Sequence, residues 1–156
     1  MNKDILPIIE ILSKKDINLI DKFDESEINE ISIPEENCRM RTLEIFNDGN
    51  DCNLKMFEEE NELISCIDNI VRALYIVVDP NTVIPDHYDE EDPNYRIATG
   101  IFSASDDIEK VGLRVENKTV NLSKGVSIGI DASVDLHGGW NYTDQYWIML
   151  VIIVKK

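Results

Sequence analysis

The chain has 156 residues, 43% of them hydrophobic, and a formal net charge of −16, which fits one globular domain with a sizeable core. A surface with this much negative charge repels phosphate backbones and anionic lipid headgroups. The composition therefore argues against binding to nucleic acid or to a membrane. No apolar run could span a bilayer, the N-terminus lacks a secretory signal pattern, and the three cysteines are scattered, so we expect a cytoplasmic protein with reduced thiols.

The first seventy residues predict two helices and a hairpin. Apolar residues recur at helical spacing over residues 4–13, where Pro7 is tolerable because it sits in the first turn. Residues 40–46 and 54–57 look like two strands joined across the turn-rich segment 47–50. A second apolar stripe predicts the other helix and consists of Leu63, Ile64, Ile67, Ile70 and Val71.

From residue 73 onward, short β-rich runs alternate with turns, which is typical of a barrel or jelly roll. The turns are predicted at residues 80–81, 117–118, 124–125 and 138–139. The last strongly apolar run, residues 147–154, should be a central strand of an antiparallel fold. We therefore predict a single domain over 1–156, with 1–72 as a helical and hairpin region and 73–156 as the β core.

The only two histidines of the chain suggest a metal site. Residues two apart on a strand point the same way, so His87 and Asp89 can bind one ion, and His137 is a candidate third ligand. Two imidazoles and one carboxylate leave one side of an ion open, as non-haem Fe(II) oxygenases require, although such ligands also accept Zn²⁺ or Mn²⁺. Taken singly, His87 is also compatible with a loop residue and His137 with a turn residue, because an isolated His-x-Asp occurs often by chance.

Four blocks around these residues occur in a fixed order. They are the P-x-H-x-D stretch that ends residues 77–89, the strand that begins Tyr95-Arg96, the hairpin at residues 112–119, and residues 125–131 followed by His137, Trp140-Asn141 and Thr143-Asp144. In order and spacing, these blocks resemble the aspartyl/asparaginyl β-hydroxylase family, from about residue 73 to the C-terminus.

The resemblance implies an α+β, mainly β fold: a double-stranded β-helix, or cupin-like jelly roll, with N-terminal helices. It also implies an Fe(II)- and 2-oxoglutarate-dependent dioxygenase that hydroxylates aspartyl or asparaginyl residues, amino acids or acyl chains. His87, Asp89 and His137 would hold the iron and form the catalytic centre. Arg96, alone or with Arg114, would bind a carboxylate of the co-substrate, but both arginines are also compatible with the protein surface.

Two positions depart from the family pattern where it binds 2-oxoglutarate. The family arginine that follows the second histidine by ten residues is Trp147 here, and a serine that helps to hold the same carboxylate falls at Ile76. A dianion buried between two such apolar side chains would lose on the order of several kcal/mol of solvation without a counter-charge. Both residues are candidates for lining the co-substrate site or a remodelled pocket, and Trp147 is also compatible with the core.

Three functions therefore fit the sequence: a 2-oxoglutarate-dependent oxygenase, a metal enzyme of the same fold that does not use 2-oxoglutarate, and a non-catalytic binding module. The partner would be a small molecule or a peptide. An acidic cluster at residues 86–92 flanks the first two candidate ligands and favours a basic substrate. Charge reversal at Glu90 and Glu91 should then raise the apparent Michaelis constant.

Overall fold

In a computed structural model of the chain, the described residues are 7, 10, 29–33, 37–48, 57–89, 95–102, 105–123 and 126–155. Within the long described ranges, the helix α1 spans Glu58–Ser65. The strands, in chain order, are β1 (Asn29–Ile33), β2 (Cys38–Asn47), β3 (Ile70–Val78), β4 (Thr82–His87), β5 (Tyr95–Phe102), β6 (Val111–Val115), β7 (Lys118–Val120), β8 (Ser127–Asp131), β9 (His137–Asn141) and β10 (Trp147–Val154).

The strands form two antiparallel sheets. One has six strands in the order β1-β2-β3-β10-β5-β8, and the other has four in the order β4-β9-β6-β7. This confirms the predicted β-rich jelly roll and the predicted central position of residues 147–154, since β10 pairs with β3 on one side and β5 on the other. No helical segment that the structure describes is long and apolar enough to cross a membrane.

Alternation along β10 divides the core into two layers, because successive side chains of a strand point to opposite faces. Ile148, Leu150 and Ile152 belong to a cluster that also contains Phe57 and Ile64, from the start and the end of the α1 region. The intervening residues belong to a cluster shared with the four-stranded sheet and consist of Trp147, Met149, Val151 and Ile153. The second layer lies between the sheets, where the predicted site must be.

The structure corrects the predicted N-terminal elements. Residues 40–46 are a strand, and β2 pairs with β1 and β3. Most of the predicted second hairpin strand, residues 54–56, and part of its turn lie outside the described residues. Phe57, the last residue of that predicted strand, is buried beside Tyr75 at a ring distance of 5.8 Å, directly before α1. The second predicted helix ends at Ser65. Ile70 begins β3, so the end of that apolar stripe belongs to a buried strand. The β core thus includes residues that were predicted to precede it.

The predicted turns are partly confirmed. Asn81 lies in a turn with φ 55°, and Glu116 and Asn117 connect β6 to β7 with φ of 47° and 64°. The turn predicted at residues 138–139 is wrong, because both glycines lie inside β9, where a Cβ on Gly138 would overlap the backbone of β4. The turn at 124–125 lies outside the described residues. So does the helix at 4–13, apart from two helical positions, 7 and 10.

Candidate metal centre

The fold brings the three candidate ligands together at one end of the space between the sheets. His87 is the last residue of β4 and His137 is the first of β9, and the two are opposite each other in the antiparallel register. Asp89 follows β4, held in place by its backbone N–H, which donates to the carbonyl of Ala132 at 2.9 Å. The imidazole centroids are 4.4 Å apart, and one ligand atom from each of the three residues lies within 4.8 Å of the others.

Both imidazoles are oriented by the same kind of backbone contact. Nδ1 of His87 lies 2.8 Å from the carbonyl of Pro85, and Nδ1 of His137 lies 2.8 Å from the carbonyl of Asp135. Because a carbonyl can only accept, each Nδ1–H is the donor, and in the neutral ring the lone pair is then on Nε2. The Nε2 atoms lie 3.3 and 3.8 Å from Oδ1 of Asp89. This arrangement is the one in which histidines bind metals.

The Asp89 carboxylate divides its two oxygens between the histidines and an arginine. Oδ2 accepts a charged hydrogen bond from Nη2 of Arg96 at 2.8 Å, and Oδ1 faces the imidazoles. Burial alone would raise the pKa of Asp89, but the His87 hydrogen bond and the positive charge of Arg96 outweigh it and hold the pKa below its ordinary value. That hydrogen bond forms when His87 is protonated and its Nε2–H donates to Oδ1, so it raises the pKa of His87. Asp89 is therefore an ionised carboxylate at neutral pH.

A cavity of about 390 Å³ opens beside these residues, and His87, Asp89, His137 and Arg96 all line it. This volume is within the range of about 300 to 1,000 Å³ that is typical of small-molecule sites. Its walls come from the inner faces of both sheets and are mainly apolar: Leu74, Ile76, Ala98, Leu113, Met149 and Val151. Of the residues predicted to bind the co-substrate, Arg96 and Ile76 thus border the cavity.

The other two predicted co-substrate residues do not. Leu113 points into the cavity, so its neighbour Arg114 points to the outer face of the sheet, where its Nε lies 3.0 Å from both carboxylate oxygens of Asp86 and its guanidinium lies 5.6 Å from the ring centroid of Trp140. Trp147 lies on the inward face of β10 but is fully buried in the core between the sheets. Neither residue is placed to contact a ligand in this cavity.

One charged residue of the cavity was missed from the sequence. Arg72 lines the mouth and pairs with Glu44 at 3.1 Å. The signal was present, because Arg72 is an even number of residues from Ile76 and therefore on the same face of one strand. Assigning the preceding residues to a helix concealed it. The acidic residues proposed to attract a basic substrate, Glu90 and Glu91, lie outside the described part of the chain.

Comparison with known proteins gives a family and a fold. A family model described as Aspartyl/Asparaginyl beta-hydroxylase matches residues 25–156. No curated protein matches the sequence. Many solved structures match the fold, and three of them are described below; their sequence identities are too low to indicate more than the fold.

A 2OG-Fe(II) oxygenase family oxidoreductase from Burkholderia pseudomallei is 12% identical, with a TM-score of 0.60 over 89% of this chain and 78% of its own. A predicted oxalate decarboxylase from Thermotoga maritima is 12% identical, with a TM-score of 0.56 over 86% and 96% of the two chains. A cupin domain from Schizosaccharomyces pombe is 8% identical, with a TM-score of 0.52 over 83% and 70%. The predicted cupin-like architecture is therefore confirmed.

Proposed function

Because the chain belongs to the aspartyl/asparaginyl β-hydroxylase family, we propose that it is a cupin-fold, non-haem Fe(II) oxygenase that hydroxylates its substrate with the help of a 2-oxo acid. The metal would be held by Nε2 of His87, Nε2 of His137 and Oδ1 of Asp89. One observation carries this proposal: separate backbone carbonyls fix both imidazoles with their Nε2 atoms directed at one oxygen of one carboxylate. The donor set suits Fe(II), since it leaves one side of the ion open for other ligands.

The protein's own residues have three tasks in this proposal. The two histidines and Asp89 bind the ion, and Arg96 orients Asp89 by holding its second oxygen. The apolar walls of the cavity exclude water from the reacting groups. When bound, Fe(II) supplies the activation of dioxygen that hydroxylation of a C–H bond requires. The substrate would enter the cavity beside the ion, where Arg96 can also face a carboxylate group.

A second candidate is a metal enzyme of the same fold that does not use 2-oxoglutarate. It is favoured by the placement of the two positions that the family resemblance assigns to the distal carboxylate. Ile76 is part of an apolar wall and Trp147 is in the core, so neither offers a cation. A third candidate is the non-catalytic binding module, which keeps the fold and at most a structural metal.

Anaerobic calorimetric titration with Fe(II) tests the proposal. Wild-type protein, freed of metal with a chelator, should bind one equivalent, and His137→Ala and Asp89→Ala should not. Asp86→Asn is the matched control, because Asp86 is a nearby carboxylate that pairs with Arg114 outside the triad, and it should bind Fe(II) like wild type. If His137→Ala and Asp89→Ala both keep wild-type affinity, the metal site is elsewhere and the proposal fails.

Arg96→Met tests the orienting role of Arg96 in the same assay. Losing the bond to Oδ2 should weaken Fe(II) binding by about 10- to 100-fold, the usual effect of removing a residue that orients a metal ligand. Arg96→Lys keeps the positive charge but changes the geometry of the hydrogen bond, so its affinity for Fe(II) should lie between that of wild type and that of Arg96→Met. Unchanged affinity in Arg96→Met would show that Asp89 is oriented without it.

A further inference from the structure

Resting on the proposed function, we infer that the 2-oxo acid used by this protein is a monocarboxylate with an apolar aliphatic side chain, not the dicarboxylate 2-oxoglutarate. The inference concerns which part of the cavity can accept charge. It follows from the order in which charged and apolar side chains line the cavity from the metal centre inward.

The sheet register gives that order. At the level of the metal centre, Arg72 and Arg96 lie on either side of Ile153 in the six-stranded sheet. Two residues further along each strand, the inward positions are Leu74, Val151 and Ala98, and after a further two they are Ile76, Met149 and Gly100. On these three strands the charged level therefore lies beside the triad, and the next two levels are apolar; on the neighbouring β2, Glu44 lies opposite Leu74 and Thr42 opposite Ile76.

The inner end of the cavity has no cation among the residues that the structure describes around it. Thr42, opposite Ile76 in the register, is the polar side chain at that level and is neutral. Beyond it, Trp147 lies opposite Val78, and both are fully buried. Ile76 and Thr42 are half-buried, so a second carboxylate directed inward would lose part of its hydration without gaining a counter-charge, whereas an aliphatic chain would bury apolar surface against these walls.

Both arginines at the charged level already have carboxylate partners. Nη2 of Arg96 lies 2.8 Å from Asp89, and Nη2 of Arg72 lies 3.1 Å from Glu44. Asp89 and Glu44 already neutralise part of the positive charge of the two arginines. This level can therefore accept the single negative charge of a 2-oxo acid head near the ion more readily than the two negative charges of a dicarboxylate. The head would bind through its carboxylate and keto oxygens on the open side of the ion, and the tail would extend between Leu74, Ile76 and Met149.

The test is an anaerobic titration of Fe(II)-loaded protein with three probes: 4-methyl-2-oxopentanoate, pyruvate and 2-oxoglutarate. Binding is followed by the visible charge-transfer band of the chelate. Pyruvate carries the same head without the tail. We expect 4-methyl-2-oxopentanoate to bind at least about tenfold more tightly than pyruvate, as an apolar pocket discriminates by chain length, and also more tightly than 2-oxoglutarate.

A charge introduced into the inner wall should reverse the preference. Ile76→Arg should bind 2-oxoglutarate more tightly than 4-methyl-2-oxopentanoate. Val126→Arg is the matched control, because Val126 is 40% exposed and does not line the cavity, and it should keep the wild-type order. If Ile76→Arg does not fold, the comparison of the three acids on wild-type protein still decides the question.

Two results would overturn the inference while leaving the proposed function intact: tighter binding of 2-oxoglutarate than of 4-methyl-2-oxopentanoate, or equal binding of 4-methyl-2-oxopentanoate and pyruvate. The second would mean that the apolar walls contribute nothing to binding. Failure to bind Fe(II) is a different outcome. It would overturn the proposed function, and the inference with it.

Discussion

Replacing Trp147 by arginine tests whether this position belongs to the core or to a ligand site. The side chain is 0% exposed, and its ring lies beside Gly139 of β9. An aromatic side chain of this kind buries about 150 to 250 Å², worth about 4 to 6 kcal/mol at about 25 cal/mol per Å². Arginine would forfeit most of this packing and add an unpaired charge. Since small domains are stable by only about 5 to 15 kcal/mol, Trp147→Arg should be largely unfolded.

Urea unfolding of metal-free protein, followed by circular dichroism, measures the effect. Trp147→Phe is the control. No residue that the structure describes accepts a hydrogen bond from Nε1 of Trp147, so removing the N–H should cost little and the loss should be about 1 to 2 kcal/mol, from reduced packing alone. A Trp147→Arg protein with wild-type stability and tightened 2-oxoglutarate binding would refute the reasoning and place residue 147 in the ligand site.

Three further measurements test other parts of the structure. The Tyr75 hydroxyl is buried without a hydrogen-bond partner among the described residues, so Tyr75→Phe should leave the free energy of unfolding unchanged or raise it by about 1 kcal/mol in urea titration; a clear loss would reveal a partner. A Cβ on Gly100 would overlap a backbone carbonyl, whereas a Cβ on Gly129 would meet no atom. In the same assay Gly100→Ala should lower the free energy of unfolding by about 1 to 3 kcal/mol, and Gly129→Ala should not lower it. In chelator-treated protein, the hydrogen bond to Asp89 raises the pKa of His87 above 6.5. The stabilising effect of this bond is therefore complete below the unfolded pKa and is lost as the pH rises through the folded pKa. The difference in melting temperature between wild type and His87→Ala should shrink between about pH 5 and about pH 9, and a constant difference would contradict the hydrogen bond between His87 and Asp89.

From residue 73 onward the sequence was sufficient to predict the β core, because apolar runs, turn residues and local spacing are encoded directly in the chain. Residues 147–154 are apolar at every position, as expected of a strand buried on both faces. The His-x-Asp spacing also placed two candidate ligands together, although Asp89 lies just beyond the end of β4 instead of within it. A side chain two positions past a strand end can still share its direction where the backbone is held, here by the bond to Ala132.

The predictions from sequence were wrong where contacts with distant residues decide between two local structures. A short apolar run such as Ile70-Val71 fits a helix stripe and a buried strand equally well, and pairing with β10 decides for the strand. The direction of Arg114 depends on the register of a single strand, because a shift by one residue exchanges the two faces. The register is fixed by the pairing of β6 with β9, which places Leu113 in the cavity wall. That pairing involves residues distant in sequence.

The proposed metal ligands and the cavity walls are supported by different parts of the fold, so one can change without the other. Each imidazole is fixed by a carbonyl two residues before it, at Pro85 and Asp135, and these contacts depend on the backbone path at the strand ends. The inner walls, in contrast, are side chains from the middle of strands, such as Ile76 and Met149. Substitutions at those two positions should therefore change which 2-oxo acid binds while leaving the affinity for Fe(II) near the wild-type value. Titration with Fe(II) thus tests the proposed metal ligands, and titration with 2-oxo acids separately tests the cavity walls.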